Sequence, residues 1–372
     1  MIVGVLKEPS FESRVSLLPE GASTLIKRGI NVWLEISAGE RAFAGDDDYA
    51  KNGVSIKSRE EIFREANILL SINDPNLQGE SDHSTKILVG IYQPLYNSQA
   101  VHNWAKQNLT VFSLDNLPRT TRAQSMDVLS SQANIAGYKA VLLAASKYAR
   151  YFPMFITAAG SIPPAKVLIL GAGVAGLQAI ATARRLGAVV EVFDTRPAVK
   201  EEVMSLGAKF IEVEGAADAS KAGGYAVQQT EEFLEKQKSK IAESIAKADI
   251  VITTAQIPGK KAPILVTVGM IEAMKKGSII VDLAAATGGN TELTNNNETG
   301  THNGVTIFGD SALAASMPSD ASKMYGKNVL NFLNLILDKA GQINLNFEDD
   351  LVKGACITYK GEVVNEKIKN LL

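Results

Sequence analysis

The chain has 372 residues, of which 46% are hydrophobic and 21% charged, which is typical of a globular protein with two to three domains. Its 38 lysines and arginines and 40 aspartates and glutamates give a net charge of −2, which argues against a nucleic-acid-binding protein. One cysteine and three widely separated histidines exclude a disulfide framework and a thiolate metal cluster, and they argue against any metal site.

The N-terminal sequence MIVGVLKEPS lacks the basic start, apolar stretch and cleavage site of a signal peptide. The longest strongly apolar stretch covers residues 167–183 and contains three glycines at turn spacing, which indicates strand, turn and helix. We therefore expect no transmembrane segment, and we expect any action at a membrane to be that of a peripheral partner.

The first 115 residues alternate short β-branched runs with amphipathic stretches, a pattern that predicts βαβ units and a mostly parallel sheet. The predicted strands are Ile2–Leu6, Ile30–Ile36, Ala66–Ile72, Lys86–Ile91 and Leu109–Leu114. The predicted helices between them are Pro19–Arg28, Ser58–Arg64 and Ser98–Gln107. A loop over Asn116–Ser125 precedes a long predicted helix over Asp127–Arg150.

A second alternating series follows the prolines at 153, 163 and 164. Its predicted strands are Lys166–Leu170, Ala188–Phe193, Ala208–Val213, Asp249–Thr254, Ser278–Leu283 and Val305–Phe308. Its predicted helices are Val174–Leu186, Ala198–Leu206 and Thr230–Ala246. Six strands with helical crossovers indicate a dinucleotide-binding domain. A helix over Ser322–Lys339 and a hairpin around Lys360–Gly361 are expected to return to the first domain.

The predicted fold class is α/β, with two Rossmann-like, doubly wound parallel-sheet domains joined by long helices. We expect residues 1–128, completed by residues 320–372, to form an N-terminal Rossmann-like domain. Residues 129–319 are expected to form a second Rossmann domain, which binds the dinucleotide.

The sequence Gly171-Ala-Gly173-Val-Ala-Gly176 follows a predicted strand and opens a predicted helix, as a dinucleotide fingerprint must. Gly171 allows the tight turn, Gly173 lets the backbone approach a pyrophosphate, and Gly176 permits close packing of helix on strand. The free N–H groups and partial positive charge of the helix N-terminus favour the phosphates. The alternative is a structural turn that binds no ligand.

Asp194 ends the second strand of this series, 18 residues after Gly176. A carboxylate at this position accepts hydrogen bonds from the adenosine ribose and repels a 2′-phosphate, which favours NAD(H) over NADP(H). Arg196 favours NADP(H) instead, because a guanidinium near this position pairs with the 2′-phosphate in NADP(H)-binding proteins.

Three segments carry a family resemblance: RAQSMDVLSSQANIAGYKAV at 122–141, TAAGSIPPAKVLILGAGVAGLQAIATARRLGA at 157–188, and AGGYA at 222–226. Together they resemble the NAD(H)-binding component of proton-translocating nicotinamide nucleotide transhydrogenase, and the resemblance covers essentially the whole chain. The wider superfamily includes alanine dehydrogenase, whose N-terminal pattern is similar to KEP…SRVSLLPEG at 7–21.

The resemblance implies that the loop before the long helix holds the nicotinamide and faces the partner's NADP(H). The matching catalytic positions are Arg119, Gln124, Asp127 and Ser130. From spacing alone, the same segment is a helix start in which Ser125 caps the helix and Asp127 lies in its first turn.

Further nucleotide contacts are implied by the resemblance. The AGGYA segment resembles a mobile loop that closes over the nucleotide with Gly224 and Tyr225 at its tip; without the resemblance it is a solvated insertion. The remaining matching positions are Val174, Thr195, Gln237 and Gln256. Gln256 stands where a predicted strand ends, the edge at which such sheets bind ligands.

The implied function is hydride transfer from NADH to NADP⁺ held on a separate polypeptide, which a membrane-spanning proton-channel partner couples to proton movement. The resemblance also implies a homodimer located peripherally on the cytoplasmic side of the inner membrane. No metal and no nucleic acid are implied. Such a transfer needs no proton donor or acceptor at the reacting carbon.

Two alternatives remain open at this point: an amino-acid dehydrogenase and a non-catalytic NAD-binding module. In alanine dehydrogenase a general acid or base and cationic groups are needed, and Arg14 matches the family arginine that binds the substrate carboxylate. The family's lysine falls where Ser71 and Asn73 stand, its histidine near Tyr92–Gln93, and its catalytic aspartate at Ala286. These substitutions argue against that reaction.

Overall fold

The computed structural model describes residues 1–77, 86–213, 215 and 230–372, which fall into two compact units. Unit 1 comprises residues 1–132 and 314–372, and unit 2 comprises residues 133–313. The α/β fold class predicted from the sequence is confirmed: each unit contains a sheet made mainly of parallel strands.

The N-terminal segment of unit 1 alternates strands and helices. In chain order they are β1 (Ile2–Val5), α1 (Pro19–Ile26), β2 (Asn31–Glu35), α2 (Asp46–Lys51), β3 (Ser55–Lys57), α3 (Arg59–Glu65), β4 (Ile68–Leu70), β5 (Ile87–Gly90), α4 (Ser98–Lys106) and β6 (Thr110–Ser113). A 3₁₀ turn over Thr121–Met126 begins within the stretch predicted as a loop, and α5 (Val128–Lys147) follows it.

Unit 2 continues from α5. Its elements are β7 (Phe155–Thr157), β8 (Gly160–Ile162), β9 (Lys166–Leu170), α6 (Val174–Arg185), β10 (Val189–Phe193), α7 (Lys200–Ser205), β11 (Lys209–Phe210), α8 (Glu231–Ile245), β12 (Ile250–Thr253), α9 (Val268–Glu272), β13 (Ile279–Asp282), β14 (Thr299–His302) and β15 (Val305–Phe308). The C-terminal elements, which belong to unit 1, are α10 (Pro318–Ile336), α11 (Asp350–Ala355), β16 (Cys356–Tyr359), β17 (Glu362–Val363) and α12 (Glu366–Lys369).

The sheet of unit 1 has the strand order β17-β16-β6-β5-β4-β1-β2-β3 within the described residues. Its strands from β6 to β3 are parallel, whereas β16 pairs antiparallel with β6 and with β17. The predicted hairpin at Lys360–Gly361 is therefore confirmed. The strand order reverses between β1 and β4, which makes the carboxyl ends of these strands the natural crevice of unit 1.

The main sheet of unit 2 has the order β11-β10-β9-β12-β13-β15-β14 among the residues described. All pairs are parallel except β14 with β15 at the edge. The central strands are continuous runs of buried aliphatic residues, as expected where helices cover both faces of a parallel sheet. The strand order reverses between β9 and β12, so a ligand is expected beside the carboxyl ends of these two strands.

Candidate functional site

The glycine turn between β9 and α6 leaves no room for side chains at two of its three glycines. Gly171 has a positive φ of 107°, and a Cβ there would lie 2.4 Å from the Thr254 hydroxyl oxygen. A Cβ on Gly176 would lie 1.9 Å from the Gly171 carbonyl oxygen. Both positions therefore require glycine for the fold itself.

Gly173 differs from the other two glycines, because nothing lies within 4 Å of the Cβ that a side chain would place there. It is the N-cap residue of α6 and supplies no side-chain hydrogen bond to the first N–H groups of the helix. The N-terminus of α6 therefore faces open space and has the geometry of an anion-binding helix end. Val174, the first residue of α6, is 40% exposed beside it.

Asp194 follows β10, and its carboxylate is hydrogen-bonded both to the glycine turn and to Arg196. Its Oδ2 accepts a hydrogen bond of 2.7 Å from the Ala172 N–H. Arg196 donates three hydrogen bonds to the same carboxylate: its backbone N–H at 2.9 Å, Nε at 2.8 Å and Nη2 at 2.7 Å. The bond to Asp194 raises the pKa of the Arg196 guanidinium. Each oxygen of the Asp194 carboxylate thus accepts two hydrogen bonds from the protein. Thr195, between Asp194 and Arg196, is partly exposed.

The segment after β12 is held by residues that the sequence analysis did not single out. The fully buried Asn290 accepts a hydrogen bond from the Ala255 N–H at 3.0 Å and donates to the carbonyls of Ala255 and Pro263 at 2.9 and 2.8 Å. Asp282, at the end of β13, accepts a hydrogen bond from the Asn290 N–H at 2.6 Å. The sequence signal is an aspartate that ends a buried strand, Asp282, and an asparagine directly after the glycine pair at 288 and 289.

The other predicted nucleotide contacts of unit 2 lie in different environments. Gln256 is exposed and its amide donates to the Leu283 carbonyl at 3.0 Å, at the carboxyl edge of the sheet. Gln237 is 6% exposed and shares the buried face of α8 with Phe233 and Ile241. Its Oε1 has no hydrogen-bond partner among the described residues. Gly224 and Tyr225 lie outside the described residues.

In unit 1, the loop predicted to hold the nicotinamide is a 3₁₀ turn that exposes Gln124 and follows an exposed Arg119. Asp127 directly precedes α5: its carboxylate accepts hydrogen bonds from the Ser130 N–H at 2.9 Å and from the Ser130 hydroxyl at 2.6 Å. The interpretation with Ser125 as the helix cap is therefore wrong, because Asp127 is the capping residue. The structure thus brings Asp127 and Ser130 together.

Arg122, within the same turn, is bound to the N-terminus of α11. Its Nη1 and Nη2 donate to the two carboxylate oxygens of Asp349 at 2.7 and 2.6 Å, and it also pairs with Asp350. The Arg122 hydrogen bond lowers the pKa of Asp349. The turn is therefore anchored by an ion pair as well as by packing.

Three side chains stand at positions that match the substrate site of alanine dehydrogenase, and each of them is hydrogen-bonded to other side chains of this protein. The Arg14 guanidinium donates to Glu12 at 2.8 and 2.6 Å through Nε and Nη2, and to the Gln132 amide oxygen at 2.7 Å through Nη1. The Ser71 hydroxyl lies 2.9 Å from the Tyr92 hydroxyl, and the Asn73 amide donates to a buried glutamate. All three nitrogen atoms of the Arg14 guanidinium are thus committed to neighbouring side chains.

Two further properties concern the described residues of the chain. Within 1–77, 86–213, 215 and 230–372, no helix is long and apolar enough to cross a membrane. Those same residues contain no cluster of three or more histidine, cysteine, aspartate or glutamate side chains placed to hold a metal ion.

Comparison with protein-family profiles gives two matches that together span most of the chain. Residues 4–136 match the profile described as alanine dehydrogenase/PNT, N-terminal domain, and residues 140–366 match alanine dehydrogenase/PNT, C-terminal domain.

Individual relatives agree with these matches. The chain is 45% identical to a Rickettsia prowazekii protein named as the first part of NAD(P) transhydrogenase subunit alpha, over 99% of this chain and 97% of that one. A crystal structure of transhydrogenase from Sinorhizobium meliloti superposes with a TM-score of 0.89 at 44% identity, covering 98% of this chain and 100% of that one. Alanine dehydrogenase of Staphylococcus epidermidis is 26% identical over 99% of this chain and 96% of its own length.

Proposed function

The chain belongs to the alanine dehydrogenase/PNT family, and we propose that within it this protein is the NAD(H)-binding subunit of a proton-translocating NAD(P)⁺ transhydrogenase. In this proposal hydride passes directly between NADH on this chain and NADP⁺ on a partner polypeptide. A membrane-spanning partner couples the transfer to proton movement.

The observation that carries the proposal is the glycine turn of unit 2. Open space beside Gly173 and an uncapped helix N-terminus suit a pyrophosphate, and they lie at the reversal of strand order where α/β sheets bind dinucleotides. In the proposal Gly171, Gly173 and Gly176 form the phosphate-binding turn, with Val174, Thr195, Gln237 and Gln256 as further contacts and Gly224 and Tyr225 completing the set.

The Asp194–Arg196 pair supports the choice of NAD(H) over NADP(H). The guanidinium that would receive a 2′-phosphate is bound to Asp194 through two of its nitrogen atoms. A 2′-phosphate would meet the Asp194 carboxylate and would have to compete with it for Arg196. A ribose hydroxyl carries no charge and meets no such repulsion.

For the transfer step, we assign to Gln124, Arg119, Asp127 and Ser130 the task of holding the nicotinamide. The hydride moves with both electrons from one nicotinamide carbon to the other, and no proton is gained or lost at either carbon. The chain's contribution is therefore position and exclusion of water rather than acid–base chemistry. Asp127 and Ser130 fix the start of α5, and Gln124 presents an amide with both donor and acceptor groups.

The proposal includes an assembly. We propose a homodimer that binds an NADP(H)-binding domain and membrane-spanning proton-channel subunits, and that lies peripherally on the cytoplasmic side of the inner membrane. The name of the Rickettsia prowazekii relative, which makes it one piece of an alpha subunit, supports the multi-subunit arrangement. We also propose the division into an N-terminal domain of residues 1–128 with 320–372 and an NAD(H)-binding domain of residues 129–319.

The test is the variant Gln124→Asn, which keeps the amide and withdraws it by one methylene group. We expect NADH affinity to stay within a few-fold, because the adenosine and pyrophosphate ends dominate binding. Single-turnover hydride transfer to NADP⁺ on the reconstituted partner should fall on the order of 10²-fold, the scale of a small misplacement.

The matched control is Gln99→Asn, since Gln99 is an exposed glutamine on α4 whose amide bonds to Asn103. It should transfer hydride at the wild-type rate. A Gln124→Asn protein as fast as the control would remove Gln124 from the site and would contradict the proposed role of the turn.

A further inference from the structure

We infer that Asn328 and Asn331 on α10 are positioning residues for hydride transfer, which act by fixing the main chain next to Gln124. This inference rests on the proposed function, because it gives the two asparagines a role through the turn that holds the nicotinamide. All of the residues concerned lie in unit 1.

The two asparagines converge on one atom. The side-chain amide nitrogen of Asn328 donates to the Ser125 carbonyl oxygen at 2.8 Å, and that of Asn331 donates to the same oxygen at 2.9 Å. A carbonyl oxygen has two lone pairs, so these two amides use its whole accepting capacity. The two asparagines are three residues apart and therefore lie on one face of α10. We call this pair of contacts the asparagine clamp.

The clamp fixes the residue that directly follows Gln124. Ala123, before Gln124, and Met126, after Ser125, are both buried in the core of unit 1, where they are 4% and 5% exposed. The Gln124 carbonyl accepts a hydrogen bond from the Asp127 N–H at 3.4 Å. The main chain of the turn is thus held on both sides of Gln124, while the Gln124 side chain remains exposed and is aimed by that main chain.

The helix that carries the clamp is itself fixed to the sheet of unit 1. The fully buried Tyr325 hydroxyl donates to the Ser71 carbonyl at 2.8 Å, at the end of β4. The Ser322 hydroxyl oxygen accepts from the Val15 N–H at 2.9 Å, and the Phe332 ring packs against Phe112 with centroids 5.3 Å apart. A displacement of the clamp would require these buried contacts to break, so the clamp is a rigid reference for the turn.

The Asn328 side chain carries an energetic cost that its contact with the turn explains. Its side chain is 8% exposed and its Oδ1 is one of the buried oxygen atoms in the described residues that have no hydrogen-bond partner. A buried unsatisfied polar atom is unfavourable, and an apolar residue at this helix position would avoid it. Donation to the Ser125 carbonyl is what the amide provides and an apolar side chain cannot.

The test replaces the two donors without weakening the helix. Alanine has a higher helix propensity than asparagine, so Asn328→Ala with Asn331→Ala removes both hydrogen bonds and leaves α10 intrinsically favoured. The matched control is Asn334→Ala, since Asn334 lies one step further along the same face but accepts from Arg28 instead of contacting the turn. The assay uses the full chain with its NADP(H)-binding partner.

We expect the double variant to transfer hydride about tenfold more slowly in single turnovers, with NADH affinity within about twofold of wild type, because a looser turn costs orientation rather than binding. Backbone amides of residues 121–127 should exchange with solvent faster in the free protein. Asn331→Gln, which keeps a donor, should stay within about threefold of the wild-type rate, while Asn331→Asp should not.

A triple variant that combines Asn328→Ala and Asn331→Ala with Gln124→Asn tests whether the clamp acts through Gln124 or through a general loss of stability. If the clamp acts through Gln124, the triple variant should be no slower than Gln124→Asn alone, whereas independent effects would multiply. An unchanged rate or unchanged amide exchange in the double variant, with Gln124→Asn still slow, would overturn the clamp and leave the proposed function in place. A Gln124→Asn protein that transfers at the wild-type rate would instead remove the turn from the nicotinamide site and the clamp with it. Absence of transfer by the unmodified protein with its NADP(H)-binding partner would overturn the proposed function.

Discussion

At the scale of single residues, we propose that the Asp194 carboxylate governs the choice of nucleotide, because it would repel a 2′-phosphate and it holds the nearby Arg196 guanidinium. Asp194→Ala removes the repulsion of a 2′-phosphate and removes the carboxylate that would compete with it for Arg196. We expect wild-type protein to bind NADH well and NADPH poorly, and the variant to narrow the difference in their binding free energies by about 1.5–3 kcal/mol, the value of hydrogen bonds to charged groups.

Calorimetric titration with both nucleotides measures the gap. The control is Glu191→Ala, since Glu191 lies within β10 itself and pairs with Lys209 rather than with the turn. Its selectivity should equal that of the wild type. Equal affinity of the unmodified protein for NADH and NADPH would contradict the assignment of Asp194.

At the scale of the element, two glycines of the turn between β9 and α6 have different roles that the sequence alone does not distinguish. Gly176→Ala drives a methyl group against the Gly171 carbonyl, so it should destabilise unit 2 by about 1–3 kcal/mol, the usual cost of overpacking. Alanine at position 173 meets nothing within 4 Å and fits the extended backbone with φ −78°, so Gly173→Ala should cost at most about 1 kcal/mol, the value of a favoured N-cap residue. Its methyl group would occupy the space we assign to the pyrophosphate, and NADH affinity should fall at least about tenfold.

Urea unfolding and NADH titration of both variants distinguish the two roles. Each variant serves as the other's control, because the same methyl group is added to the same turn. Wild-type NADH affinity in Gly173→Ala would remove this turn from the nucleotide site.

The same elements show what a sequence reveals about its fold. β9 and β15 have the predicted bounds, because Gly171 ends the apolar run of β9 and because Gly304 and Gly309 border β15. β7 was missed because all three of its side chains are exposed, so no burial pattern marks it as a strand. The loop predicted over Asn116–Ser125 contains most of a 3₁₀ turn, whose short period leaves no distinct hydrophobic pattern.

Some features of the candidate site were predictable from the sequence, and others were not. The glycine turn and Asp194 were predictable because they are close in sequence and follow a strand. The asparagine clamp was not, because Asn328 and Ser125 are 203 residues apart and neither position has an unusual local pattern. The Arg122–Asp349 pair likewise depends on tertiary contacts over a long stretch of chain.

At the scale of the whole molecule, unit 1 is complete only when the C-terminal residues return to it. β16 pairs with β6, and the Thr358 hydroxyl donates to the Leu109 carbonyl at 2.8 Å across 249 residues of sequence. Cys356, the single cysteine, lies fully buried at the start of β16. The accessibility of Cys356 therefore reports whether β16 is paired with β6.

Burial raises the pKa of the Cys356 thiol to about 12, so at pH 8 the folded protein holds a neutral and inaccessible thiol. In the unfolded chain the pKa returns to roughly 8.5, and the thiolate reacts. We expect iodoacetamide at pH 8 to modify Cys356 only at urea concentrations that unfold the protein, as followed by mass spectrometry. Rapid modification in native buffer would show that β16 detaches without global unfolding.

The whole molecule also decides between two reactions of one family, since alanine dehydrogenase shares the fold and this architecture supports either chemistry. Oxidation of alanine releases a proton and requires a base, together with a cation free to bind the substrate carboxylate. Arg14 is bound to Glu12 and Gln132 through all its guanidinium nitrogens, and Ala286 offers only a methyl group. Tyr92 is no substitute base, because burial raises its pKa well above the usual value and keeps the phenol protonated at neutral pH.

We therefore expect purified protein with alanine and NAD⁺ to form no pyruvate, and with pyruvate, ammonium and NADH to consume no NADH. The same preparation should bind NADH and should transfer hydride once the NADP(H)-binding partner is added, which shows that the protein is active. Absorbance of NADH follows both dehydrogenase assays. Pyruvate formation above the rate without enzyme would mean that Arg14 leaves Glu12 to bind substrate, and it would return this chain to the dehydrogenase branch of its family.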